Sequence, residues 1–282
     1  MHGLKTWAGV AAIAVLAISG APAPAAAQSA WEQISKTGKM LFGIMPAREP
    51  YMWQEKGEWK GFTIEMAEQI AEALANENAL GRKIEIEYVP TTWATFVLDL
   101  QANKVDAFLG ASITEERKKA VDMFGPLYGL AHVMLNREGF NPGNNWADYN
   151  KPEIKIASVT GTTDEAAARK FAPKATIISL RQDSEAILSV QSGHANALVS
   201  SVLPALNALR QNPNFKKITV PEPVASLPSG GAARKDGDSR LTAFLQGLAY
   251  MSRTSGNTKK LILDSVKLSG LDASALPPEM EF

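Results

Sequence analysis

The chain has 282 residues, 29 Lys and Arg against 29 Asp and Glu, 45% hydrophobic and 21% charged residues, and no cysteine. Those values exclude a disulfide-stapled scaffold, a thiol nucleophile and a Cys-ligated zinc or iron–sulfur site. The neutral balance speaks against a nucleic-acid binder, whose footprint is a surplus of Lys and Arg, and the length suits one or two domains with a sizeable core.

Residues 1–27 differ in character from the rest of the chain. Lys5 precedes an apolar run over 10–18, which breaks at Gly20 and Pro22 before the small-residue site Ala25-Ala26-Ala27. This is the layout of a cleavable secretory signal peptide. The run is shorter than the ~20 apolar residues of a spanning helix, and no cysteine stands at the cleavage site to carry a lipid. A soluble periplasmic protein without a lipid anchor is expected. Loss of Lys5 leaves it one charge negative.

The mature chain alternates strand and helix signals. Residues 40–44 read as a buried strand, and Phe62, Met66, Ile70 and Leu74 recur every fourth residue as one apolar helix face. Residues 84–88 alternate with period two, as a half-buried strand does. Thr92 is placed to cap a helix carrying Trp93, Phe96, Val97 and Leu100 inward, with Asn103 at its end, and 105–109 form the next strand, closed by Gly110. A second unit comes next: strand 154–159, turn Gly161-Thr162-Thr163, helix 164–171, strand 176–180, a helix from Asp183 to Gly193, and strand 197–200. Residues 136–153, rich in Asn, Gly and Pro, read as a surface loop. Two β-α-β runs predict two α/β lobes built on parallel strands. Two amphipathic helices, one with Leu241, Phe244, Leu245 and Leu248 and one with Leu261, Ile262 and Val266, end the chain and could cover either lobe.

The strings Gly38-Lys39-Met40-Leu41-Phe42-Gly43, Trp59-Lys60-Gly61-Phe62-Thr63-Ile64-Glu65-Met66-Ala67, Lys104-Val105-Asp106-Ala107, Ser112-Ile113-Thr114-Glu115-Glu116-Arg117-Lys118-Lys119-Ala120-Val121-Asp122 and Gly161-Thr162-Thr163 occur in this order. Over about 38–260 the chain resembles the family 3 solute-binding proteins of ABC importers, the periplasmic amino-acid-binding proteins. The resemblance implies a type II periplasmic-binding-protein clamshell, α/β, with two lobes on central sheets joined by a two-strand hinge. Carried onto this sequence, lobe 1 is 36–129 plus 225–282 and lobe 2 is 130–224. It also implies a carboxylate-bearing ligand held between the lobes of a monomer, and delivery to a membrane permease on closure.

The same resemblance singles out site residues. Arg117 lies in the first turn of a helix, where a cation gains nothing from the helix dipole, and a guanidinium grips a carboxylate with two parallel hydrogen bonds. Ser112 and Gly110 share its loop, although the spacing from Asp106 to Arg117 is one residue shorter than the family's. Gly161, Thr162 and Thr163 face them from a helix N-terminus, where unpaired N–H groups favour an anion. Two positions depart from the family. Ser201 stands where an Asp usually neutralises the ligand's ammonium group, with Asp164, Glu165 and Asp183 as substitutes that otherwise read as helix-start residues. Arg48 stands where an aromatic usually lies against the ligand, and its alternative is a surface pair with Glu49 or Glu55. Together they point to a ligand more acidic than a neutral amino acid, with Tyr51 as an apolar wall.

Two other functions compete. The same fold hosts a cyclohexadienyl-dehydratase-like periplasmic lyase acting on a prephenate-like substrate, but His132 and His194 have no evident nucleophile or orienting carboxylate beside them, so a non-enzyme without catalytic residues is expected. A sensor partner of an extracytoplasmic system would need a separate membrane component. No metal spacing and no cofactor motif occurs.

Overall fold

The computed structural model describes residues 28–212 and 214–276; the expected signal peptide, 1–27, lies outside the described residues. The chain runs α1 (Ala30–Thr37), β1 (Lys39–Ile44), β2 (Trp53–Glu55), β3 (Glu58–Lys60), α2 (Phe62–Ala75), β4 (Glu85–Pro90), α3 (Phe96–Gln101), β5 (Ala107–Ser112), α4 (Glu115–Ala120) and β6 (Asp122–Arg137). It continues through α5 (Trp146–Tyr149), β7 (Lys155–Val159), α6 (Thr163–Phe171), β8 (Thr176–Leu180), α7 (Asp183–Gln191), β9 (Ala197–Ser201), α8 (Val202–Gln211) and β10 (Phe215–Thr219). The last elements are β11 (Ser226–Ala233), α9 (Arg240–Thr254) and α10 (Asn257–Leu268).

The strands lie in the order β4-β1-β5-β11-β6-β9-β7-β8, with β10 also on β6. Parallel β-α-β pairing builds β4-β1-β5 on one side and β9-β7-β8 on the other, as the two helical crossovers of each side require. Between them β11 and β6 run antiparallel to each other and to their neighbours. β6 pairs with strands on both sides, and the chain returns along it from β10 to β11, so the molecule is a type II clamshell with a two-strand crossover.

Three local outcomes differ from the sequence reading. The helix expected from Thr92 begins at Phe96. The hydroxyls of Thr91 and Thr92 both bond that of Thr95, and Thr91 also donates to Asp99 at 2.6 Å; such side-chain competition favours a turn over a helix start. Strand β5 passes through Gly110 at φ +86° and ends at Ser112. Residues 136–153 contain the single turn of α5, whose Trp146 and Tyr149 are buried.

The terminal helices pack beside α1, α2 and β6. Trp31 meets Phe244 edge-on at 5.9 Å, Asn257 donates to Gln69 at 2.8 Å, and Ser265 donates to the Pro50 carbonyl at 2.6 Å. Gly256, at φ +78°, makes the corner between α9 and α10. The fully buried rings Phe42, Phe62, Phe96, Phe108, Phe124 and Tyr128 fill the core beneath.

Candidate functional site

Arg117 is positioned by a capped helix start. The Thr114 hydroxyl accepts the Arg117 N–H at 3.2 Å, which turns the side chain inward, and the residue is only 8% exposed. Its guanidinium donates to the carbonyls of Ser112 at 2.9 Å and of Gly161 at 3.2 Å, and lies 4.9 Å from the Phe96 ring centroid and 5.7 Å from that of Trp93. Among the described residues no carboxylate is within ion-pair distance of it. Burial lowers its pKa to about 10, against weaker opposition from Asp164 and Glu116. A buried cation with carbonyls but no anion is electrostatically incomplete.

The turn before α6 packs directly against this group. Gly161 sits at φ +81°, and a Cβ there would lie 2.7 Å from the Trp93 carbonyl oxygen, so only glycine permits this approach. Thr162 caps α6: its hydroxyl accepts the Glu165 N–H at 3.1 Å and donates to the Val159 carbonyl at 2.7 Å. The Gly161 N–H donates to Glu165 Oε2 at 3.1 Å and the Thr162 N–H to Val159 at 3.3 Å. Anion-facing backbone donors are therefore left to the first-turn amides of Thr163 and Asp164. The Thr163 and Ser112 hydroxyls meet across the lobes at 3.1 Å.

Ser201 does not leave the site without an acid. Strands β7 and β9 are parallel neighbours, so their C-terminal ends lie side by side and bring the α6 start against Ser201. The Ser201 hydroxyl donates to both oxygens of Asp164, at 3.0 and 3.1 Å. His132, on β6 opposite Ser201, places Nδ1 2.6 Å from Asp164 Oδ1. Asp164 is 5% exposed. Burial pushes its carboxyl up, but the His132 contact, the charge of Arg48 and the Ser201 hydrogen bond outweigh that and hold it below the usual value. One sequence expectation is corrected, since His132 does have a carboxylate beside it; Asp164, one of the three substitutes named for Ser201, is buried as well as at a helix start.

Arg48 is not a surface residue. Glu49 pairs with Arg210 and Glu55 with Lys60, while Arg48 is buried and forms an ion pair with Asp183 at the start of α7. Its guanidinium carbon lies 5.0 Å from the Trp93 ring centroid and 5.5 Å from that of Tyr51. Burial works against the charged form, but Asp183, Tyr51 and Asp164 together raise its pKa above the usual value. Gly110 admits the Tyr51 ring, because a Cβ there would be 3.2 Å from it.

All nine candidate residues converge. About 10 Å³ of space remains between Arg48, Tyr51, Gly110, Ser112, Thr163 and Ser201, and a groove of about 870 Å³ runs beside it past Trp93, Phe96, Arg117, His132 and Phe171. Sequence reading missed Trp93 as a site residue; its indole ring faces both arginines, and its buried N–H has no acceptor among the described residues. Among the described residues no group of three or more His, Asp or Glu could hold a metal ion, and no helix is long and apolar enough to cross a membrane.

Comparison with known proteins gives the same architecture. The chain is 24% identical over 218 residues, 76% of this chain and 78% of its relative, to the cyclohexadienyl dehydratase of Pseudomonas aeruginosa. It is 26% identical over 233 residues, 82% of this chain and 79% of the relative, to an ABC transporter glutamine-binding protein of Bacillus subtilis. A crystal structure of an ancestral amino acid-binding protein, described as a precursor of cyclohexadienyl dehydratase, superposes with a TM-score of 0.72 at 31% identity, covering 84% of this chain and 99% of that one. The family model for bacterial extracellular solute-binding proteins, family 3, matches residues 40–221. With this match and the clamshell fold, the chain belongs to family 3 of the bacterial extracellular solute-binding proteins.

Proposed function

We propose that the protein captures an amino acid in the periplasm and delivers it, as a monomer, to an ABC permease. Arg117 holds the α-carboxylate with Ser112 and the amides of Thr163 and Asp164, and Asp164 with Ser201 holds the α-ammonium group. The lobes are about 36–129 plus 225–282 and about 130–224. The observation that carries this reading is the buried Arg117 guanidinium without a carboxylate partner, set beside the buried, ionised Asp164. One stranded cation and one nearby anion complement a zwitterion. Because Asp164 supplies the acid that Ser201 lacks, the ligand need not be without an ammonium group. An L-amino acid with a neutral or acidic side chain fits better than an organic acid.

The test is a thermal-denaturation screen of the full chain against the standard amino acids. Stabilisation by at least one neutral or acidic amino acid is expected, and none by carboxylic acids that lack the amino group at equal concentration. The reverse ranking contradicts the reading.

A lyase is the second reading, favoured by the His132–Asp164 contact and by the dehydratase relative. Incubation with prephenate decides it: the substrate is expected back unchanged by NMR, and a dehydrated product would establish the enzyme.

A further inference from the structure

The burial of Arg48 needs an explanation, because a guanidinium removed from water is costly unless its surroundings replace the lost hydration. Those surroundings consist of two aromatic rings, Trp93 at 5.0 Å and Tyr51 at 5.5 Å, and the carboxylate of Asp183 from across the cleft. Ring faces and a carboxylate are what a guanidinium or ammonium ligand would seek. The backbone fixes Arg48 there. Its N–H donates to the Met52 carbonyl at 2.8 Å, and its own carbonyl accepts from Tyr51 and Met52 at 2.8 and 3.0 Å.

We infer that Arg48 fills, from within the chain, a seat suited to the cationic side chain of a ligand, and so sets this binding site against cationic amino acids. The inference rests on the amino-acid reading above. Exclusion has two physical sources. A tethered side chain competes at an effective concentration of roughly millimolar or higher, so a free cationic side chain must displace it to reach the rings and Asp183. A ligand that leaves Arg48 in place brings a second positive charge beside it. Neutral and acidic side chains meet neither obstacle. With Arg48 shortened, the rings and Asp183 stand open to a ligand cation.

Isothermal titration of L-arginine and L-glutamine into the full-length wild-type chain and the Arg48→Ala variant tests this, with circular dichroism to confirm native folding. The variant is expected to bind L-arginine at least tenfold more tightly than wild type. Arg48→Ser serves as the second variant. The wild-type chain also reads the inference without any variant, since it should bind L-glutamine at least tenfold more tightly than L-arginine. L-arginine bound as tightly by wild type as by a folded variant overturns the inference. A response to L-glutamine with no gain for L-arginine overturns it and leaves the amino-acid reading standing. A response to neither in any of the proteins overturns the inference and leaves the amino-acid reading to its own screen.

Discussion

The Ser201 hydroxyl donates to both carboxylate oxygens of Asp164, at 3.0 and 3.1 Å, although the two residues are 37 positions apart. The contact sets a buried carboxylate from the first turn of α6 beside the end of β9, where His132 also meets it at 2.6 Å.

If Asp164 neutralises an α-ammonium group, Asp164→Asn should weaken L-glutamate by about 2–5 kcal/mol, the usual loss when one partner of a buried charge pair is removed. Calorimetric titration of L-glutamate into wild type and variant measures the loss, and an unchanged affinity would show that Asp164 does not meet the ammonium group.

The same carboxyl predicts an acid limb in stability. Its folded pKa lies below the ordinary value, so its contribution is complete above the unfolded value of about 3.9 and is lost as pH falls through the lower folded value. Wild-type protein should therefore lose stability below about pH 4 more steeply than Asp164→Asn. Denaturant melts at pH 3 and pH 6 read the slope, and a variant that matches wild type at both would remove Asp164 from the acid response.

Gly161 lets the turn before α6 approach the Trp93 backbone. Gly161→Ala puts a Cβ 2.7 Å from the Trp93 carbonyl oxygen and a side chain at φ +81°, at a backbone cost of roughly 1–2 kcal/mol. The variant should stay folded but bind amino acids at least tenfold more weakly, and small-angle scattering should show a larger radius of gyration with ligand. Unchanged affinity would mean that the Gly161–Trp93 approach is dispensable.

The alternating units were legible because each strand and helix carries its own period, and α2, α6, α7, β7 and β8 fall where the pattern puts them. The long β6 was not. Gly125, Pro126 and Gly129 interrupt any strand period there, yet Pro126 lies at the register shift between Ser229 and Gly231 of β11, where a missing N–H does no harm. Gln246 of α9 satisfies the neighbouring Gly125 through both of its backbone groups, at 3.0 and 2.9 Å. Arg117, Ser112 and the 161–163 turn were visible because their motifs are contiguous. The pairs that set the charge of the site were not, since Arg48–Asp183 spans 135 positions and Ser201–Asp164 depends on the adjacency of β7 and β9. Local pattern carries no record of such meetings. Reading Ser201 by itself therefore left open which acid stands beside it, and the fold brings Asp164 there from α6.

Whether Arg117 clamps a carboxylate is read most directly from the shift in thermal stability of wild type and Arg117→Ala with a ligand that the wild-type chain binds. At a ligand concentration 100 times the wild-type dissociation constant, wild type should gain about 2.7 kcal/mol. The variant, folded by circular dichroism, should gain none. An equal gain in both would show that Arg117 holds no carboxylate and would overturn the proposed binding geometry.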